Sequence, residues 1–177
     1  MNASVIEHVA AIPVDFDPAK CQAVLNFLVR EARLADESRW DEWEALLEDD
    51  MLYWVPGGVP DPDPDTTLSI LADHRARLGN RIAQLKTGRR LSQQPVSPMR
   101  RLLSNIEMEA ISDTETRAYA NFALYEYRVQ STHQIVQWAG RYEYRLRARA
   151  DGSLGMFYKR VDLLNAAGPL PSLAFLI

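Results

Sequence analysis

Three histidines, one cysteine and a scatter of carboxylates are the raw material for chemistry in this 177-residue chain. An iron–sulfur cluster takes four Cys or His ligands, and a structural zinc site takes a similar set. Cys21 is the single cysteine, so neither can be built here, and no internal disulfide can form. Non-haem iron needs two histidines and a carboxylate converging on one point. His8, His74 and His133 fall in an expected arm, helix and strand turn, with no shared spacing. His74 lies between Leu71 and Leu78 on an apolar stripe and reads as a partly buried histidine without a ligand role. Cys21 also falls on an apolar helix face, where a thiol acts as a small hydrophobe. Glycine-rich phosphate loops and a serine nucleophile elbow are absent from the sequence.

A carboxylate pocket is the remaining catalytic option. Asp36 ends a predicted helix, and Tyr53, Trp54, Tyr119, Tyr125, Trp138 and Tyr142 could line a cavity around it. An Asp there could move a proton if its pKa and reach suited a substrate. The plainer reading makes the aromatics core and Asp36 the cap of the next helix at Ser38-Arg39. Charge is also uneven along the chain. Arg75, Arg77, Arg81, Lys86, Arg89, Arg90, Arg100 and Arg101 follow one another without an intervening acid, whereas residues 36–65 are acidic. Either the two runs pair within the molecule or they pattern an interface, where complementary charge sets register and partner choice.

The elements that would position these groups follow from periodicity. From Pro18, Cys21, Val24, Leu25, Leu28, Ala32 and Ala35 recur at helical steps, with Asp17 as N-cap. A short helix is expected over Arg39–Glu48, followed by strand residues Tyr53-Trp54-Val55. A third helix is expected over Ile70–Thr87, stopped by Gly88. Beyond Gln93 the period becomes two. Val136, Trp138, Tyr142, Tyr144 and Leu146 alternate with polar residues over 134–147, and noisier strands cover 101–111, 116–129 and 154–164. Helices first and a long-stranded meander after is an α+β order, with helices covering one face of a strongly curved sheet.

The length suits one domain over 1–177, with 1–17 as an irregular arm. A net charge of −4 argues against nucleic-acid binding. No apolar run approaches a membrane span, and residues 1–18 lack the pattern of a signal peptide. With a lone cysteine, a reducing cytoplasm is expected. The apolar Leu173–Ile177 is expected to be tied down.

Three segments carry a resemblance: EARLADESRWDEWEALLEDDMLYWVP (31–56), DHRARLGNRIAQLKTG (73–88) and MRRLLSNIEM (99–108). Together, in this order and spacing, they resemble the β (small) subunits of bacterial aromatic-ring-hydroxylating, Rieske-type dioxygenases. That resemblance implies a cone-shaped, nuclear-transport-factor-like fold and a non-catalytic structural subunit in aromatic catabolism. It further implies assembly with an α subunit, as an α3β3 hexamer. The α subunit would hold the Rieske [2Fe–2S] cluster, the mononuclear iron and the substrate pocket, in keeping with the ligand count above. Self-association as a trimer is also open. Arg89, Arg90, Arg100 and Arg101 are the expected subunit contacts. The alternative is a stand-alone dehydratase or isomerase of the same fold, using Asp36 with Tyr53, Trp54, Trp138 and Tyr142.

Overall fold

The computed structural model describes residues 17–88 and 94–177. Helix α1 spans Pro18–Asp36, with the Asp17 side chain accepting from Ala19 N at 2.9 Å. Its buried stripe is Val24, Phe27, Leu28, Glu31, Ala32, Leu34 and Ala35. A glutamate thus sits where helical spacing calls for an apolar residue. Cys21 is half-buried at the edge of that stripe and not within it.

Helix α2 is shorter than its sequence pattern, Trp40–Glu44, because strand β1 takes over at Leu47 and runs to Pro56. Trp40 and Trp43 are both buried and meet edge to face. The expected third helix is divided. Ser69–His74 forms strand β2, antiparallel to β1, and only Arg75–Lys86 forms α3. Leu71 and Asp73 alternate inward in β2, while Leu78 and Ile82 carry the buried face of α3. The three- and four-residue steps around Leu71 were therefore shared by a strand, whose pairing with β1 overrode local helical preference. His74 becomes the exposed N-cap of α3 and leaves the apolar stripe assigned to it. Gly88, at φ +61°, closes the helix as its spacing predicted.

Strands β3 (Met99–Ala110), β4 (Glu115–Tyr127), β5 (Ile135–Ala148) and β6 (Leu154–Leu163) form the meander, each antiparallel to the next. The sheet order is β2-β1-β6-β5-β4-β3, with β1 parallel to β6. Alternation along β5 turns Trp138, Tyr142, Tyr144 and Leu146 inward. Helix α1 lies against β3 and β6, and α3 against β1 and β2. One continuous apolar core fills the space between these helices and the inner sheet face. This is the α+β cone of the nuclear-transport-factor type.

Gly140 marks the tightest approach of a glycine to neighbouring backbone. A Cβ there would stand 2.0 Å from the Asp162 carbonyl oxygen and 3.0 Å from the Phe122 ring. The clash is with backbone in the middle of the meander, so no side-chain rotation relieves it. Gly140→Ala is expected to cost about 3 kcal/mol, read as a lowered denaturant midpoint at unchanged slope.

Candidate functional site

The interior of the cone holds two buried ion pairs, Glu31 with Lys159 and Asp36 with Arg101. Glu31 from α1 meets Lys159 from β6 with Nζ–Oε1 at 2.8 Å. Trp43 Nε1 donates to the same carboxylate at 2.8 Å and Tyr144 Oη at 3.3 Å. Lys159 Nζ also lies over the Tyr142, Tyr144 and Tyr53 rings at 4.4, 5.4 and 5.8 Å. This ammonium is desolvated yet surrounded by negative ring faces and one carboxylate. Burial pushes the Glu31 carboxyl up, but Lys159 and then Arg101 outweigh it and hold the group below its ordinary value.

The second pair is Asp36 with Arg101. Arg101 Nη1 binds Asp36 Oδ1, and its main-chain N–H reaches Asp36 Oδ2 at 2.8 Å. The other terminal nitrogen, Nη2, donates to the carbonyl of Leu176. Tyr53 Oη donates to the Ile177 oxygen at 2.5 Å. Phe175 meets Trp138 edge to face, with centroids 5.8 Å apart at 88°. Ala174, Phe175, Leu176 and Ile177 are all buried. The segment expected to be tied down is therefore inserted into the cone as part of its core.

In this floor the Arg101 guanidinium and the Tyr142 hydroxyl are both buried and interact with each other. Burial pushes the Tyr142 phenol well up, with the Arg101 charge opposing, so the group stays neutral. Its ring stacks on Phe122 at 4.0 Å and 7°.

These positions sort the residues singled out from sequence. Asp36, Tyr53, Trp138 and Tyr142 do converge inside the cone, but Asp36 is committed to Arg101. Trp54 does not join them. It follows Tyr53 on a strand, so it faces the other way, with its Nε1 on Ser69 Oγ and the Arg160 guanidinium 4.7 Å over its ring. Tyr119 and Tyr125 are outward too, the former under Arg141. Arg101 is a correction of another kind. Its side chain is 0% exposed, so it cannot meet a neighbouring subunit. The alternation of β3 points Arg100 outward and Arg101 inward, and the tandem arginines thus separate. Arg89 and Arg90 lie outside the described residues.

Glu31 and Lys159 escaped sequence reasoning. The available signal was phase: Glu31 continues the stripe of Phe27 and Leu28, and Lys159 shares the inward phase of Val161 and Leu163. Charge at two inward positions, one on a helix and one on a strand, is the pattern of a buried pair.

Much of the basic run pairs at home. Arg75 binds Glu44 at 3.0 Å, Lys86 binds Asp41 and Glu44 at 2.6 and 3.0 Å, and Arg81 binds Asp73 at 2.6 Å. Arg100 differs, for it is exposed and makes no ion pair among the described residues. On the same outer face, cross-strand register sets Arg100 opposite Tyr125 and Tyr127 opposite Ile135, with Leu102 two residues along from Arg100. Leu102 and Ile135 are 60% and 67% exposed. Arginine, tyrosine and exposed aliphatic side chains thus gather on one outer sheet face.

Among the described residues, no group of three or more His, Cys, Asp and Glu side chains could hold a metal ion. Nor is any described helix long and apolar enough to cross a membrane. A cone closed by its own chain, with an arginine–aromatic outer sheet, has the make-up of an assembly subunit. The chain belongs to the ring hydroxylating beta subunit family, whose model matches residues 30–167.

Individual relatives agree. Over 149 residues the chain is 33% identical to the small oxygenase component of the p-cumate 2,3-dioxygenase system of Pseudomonas putida, covering 82% of this chain and 81% of that one. The 2-halobenzoate 1,2-dioxygenase small subunit of Burkholderia cepacia is 27% identical over 148 residues, covering 80% and 87%. Among solved structures, the β subunit of benzoate 1,2-dioxygenase from Burkholderia mallei superposes with a TM-score of 0.69 at 25% identity, covering 91% and 98%. A chain of naphthalene 1,2-dioxygenase with bound indole gives 0.77 at 14% identity, covering 94% and 90%, a likeness of fold.

Proposed function

We propose that this chain is a non-catalytic, structural β subunit of a multicomponent aromatic-ring-hydroxylating dioxygenase. It assembles with a larger α subunit, most simply as an α3β3 hexamer, and works in the cytoplasm in the catabolism of an aromatic compound. The observation that carries this reading is the state of the cone. Asp36, the aspartate singled out for acid–base work, is bound by Arg101, and residues 174–177 fill the space beside it. A general base needs a free lone pair within reach of substrate, and Asp36 has neither the freedom nor the room.

The redox groups of such an enzyme do not fit this chain. A Rieske centre takes two cysteines and two histidines, and Cys21 is the sole cysteine. The Rieske cluster and the mononuclear iron are therefore assigned to the α subunit, along with the ring-hydroxylating chemistry. For the contact between subunits we propose the outer face of β3 and β4, centred on Arg100, Leu102 and Tyr125.

Co-purification with a tagged copy of this chain tests both statements. The expected eluate is coloured, with a larger iron–sulfur-bearing chain at equal stoichiometry. Arg100→Glu combined with Leu102→Glu should lower the assembly mass and leave the far-UV spectrum of the isolated chain unchanged. One tightly held iron per isolated chain would defeat the subunit reading, and an unchanged assembly mass would remove the proposed contact face.

A further inference from the structure

The outer sheet face treats charge differently at its two ends. Towards one end, Arg141 binds Glu107 at 3.1 Å, Arg117 binds Glu109 at 3.2 Å, Arg145 binds Glu143 at 3.2 Å and Arg147 binds Asp50 at 3.1 Å. Each of these cations meets an acid of its own chain, so this part of the face is neutralised in place. At the other end Arg100 has no acidic partner among the described residues, and Leu102, Tyr125, Tyr127 and Ile135 beside it are all exposed. Arg100 Nη1 donates to the Met99 carbonyl at 2.7 Å. That bond commits one side of the guanidinium and leaves its Nε–Nη2 edge without an acceptor among the described residues. We infer that the α subunit seats a single Asp or Glu carboxylate on this edge, within an apolar frame. The inference rests on the contact face proposed above and names the chemistry of the partner that covers it.

Charge and shape both select a carboxylate. A partner that covers Leu102, Tyr125 and Ile135 also excludes water from Arg100, and a cation desolvated without a counter-charge is strongly unfavourable. The nearby acids of this chain are spent, since Glu107 is held by Arg141 and Glu126 turns inward to Arg128 and Trp138. The Nε–H and Nη2–H bonds run parallel, so a planar carboxylate accepts both at once, whereas a lone carbonyl oxygen lacks both the second acceptor and the charge. Two copies of this chain meeting face to face through the patch would bring Arg100 against Arg100, a repulsive arrangement. A different chain with an acid at the matching point fits the patch instead.

The test uses the co-purified complex and single surface substitutions, each checked for an unchanged far-UV spectrum. Arg100→Lys places a primary amine at the site, and a zero-length carbodiimide should then join position 100 to one Asp or Glu of the larger chain. Peptide mass spectrometry locates the link, and the unaltered complex, whose guanidinium does not couple, is the blank. Arg100→Glu should weaken the association of the two chains by about a hundredfold, as expected for a desolvated charge pair turned repulsive. Leu102→Glu tests the contact face without touching the charge and should weaken association as well. If Leu102→Glu breaks the complex and Arg100→Glu does not, the contact face stands and the carboxylate is refuted. If neither variant alters association, the contact face itself is wrong and the inference falls with it. A link that runs only to a second copy of this chain overturns the inference, and so does an intact Arg100→Lys complex that forms no link.

Discussion

Lys159→Met is expected to lower the stability of this fold by about 3–5 kcal/mol, the cost of leaving one member of a buried ion pair alone. The change removes the ammonium that sits 2.8 Å from Glu31 and strands a carboxylate at 0% exposure. Methionine keeps the length and apolar character of the lysine stem, so packing is little altered and the loss is electrostatic. The pH dependence supplies a second readout. In the native chain the Glu31 carboxyl titrates below its ordinary value of 4.5. Its contribution is thus complete above that value and fades as pH falls through the depressed one. Without Lys159 the burial effect dominates and raises the carboxyl pKa. The variant's deficit should then be greatest near neutrality and shrink on acidification, as Glu31 takes up a proton. Urea titrations at several pH values measure this directly. Combining Lys159→Met with Glu31→Gln should recover much of the loss, because the amide oxygen can still accept from Trp43 while its NH2 donates to the Tyr144 hydroxyl oxygen. A deficit independent of pH would show that the lysine acts through packing alone.

Arg101→Leu is the second large effect, again about 3–5 kcal/mol. This guanidinium performs two tasks in different directions: it neutralises Asp36 and it holds Leu176 O. Its removal leaves Asp36, whose side chain is 8% exposed, with only the main-chain N–H of residue 101. Residues 174–177 lose one of their two polar anchors at the same time. Amide exchange at 174–177 should accelerate, and Trp138 fluorescence should change as Phe175 departs. Arg101→Lys should rescue poorly, since a single ammonium lacks the two divergent donors of the planar fork. Phe175→Ala is the useful contrast. It too destabilises, through a cavity, but it leaves the Asp36–Arg101 pair intact and should not alter the pH profile. If Arg101→Leu left exchange at 174–177 unchanged, the anchoring role assigned to this arginine would be lost.

Legibility varied with how local the determining physics is. The four meander strands were readable because a half-buried strand writes its two faces into alternate residues, as Trp138, Tyr142, Tyr144 and Leu146 do in β5. Helix α1 was readable at both ends, through the Asp17 cap and the stripe from Val24 to Ala35. The boundary between β2 and α3 was not. Leu71 and Leu78 stand seven residues apart, a spacing that suits a helix, yet Leu71 is claimed by pairing with Val55 on β1. Such a claim depends on where β1 lies, which no window of local sequence contains. Arg100 and Arg101 show the same limit within one dipeptide. A strand must send them to opposite faces, and the fold decides which face is core.

The sequence by itself therefore determined the class of the molecule: helices before a meander, three segments in a family's order, and too few cysteines for an iron–sulfur cluster. These follow from composition and short-range periodicity, which survive without coordinates. Tertiary structure alone decided the condition of the cone. Glu31 meets Lys159 across 128 positions of chain, and Tyr53 meets Ile177 across 124. Pairs so distant are set by the curvature and register of the whole sheet. Only the folded molecule could show Asp36 bound by Arg101 and the cone filled by the chain's own residues 174–177.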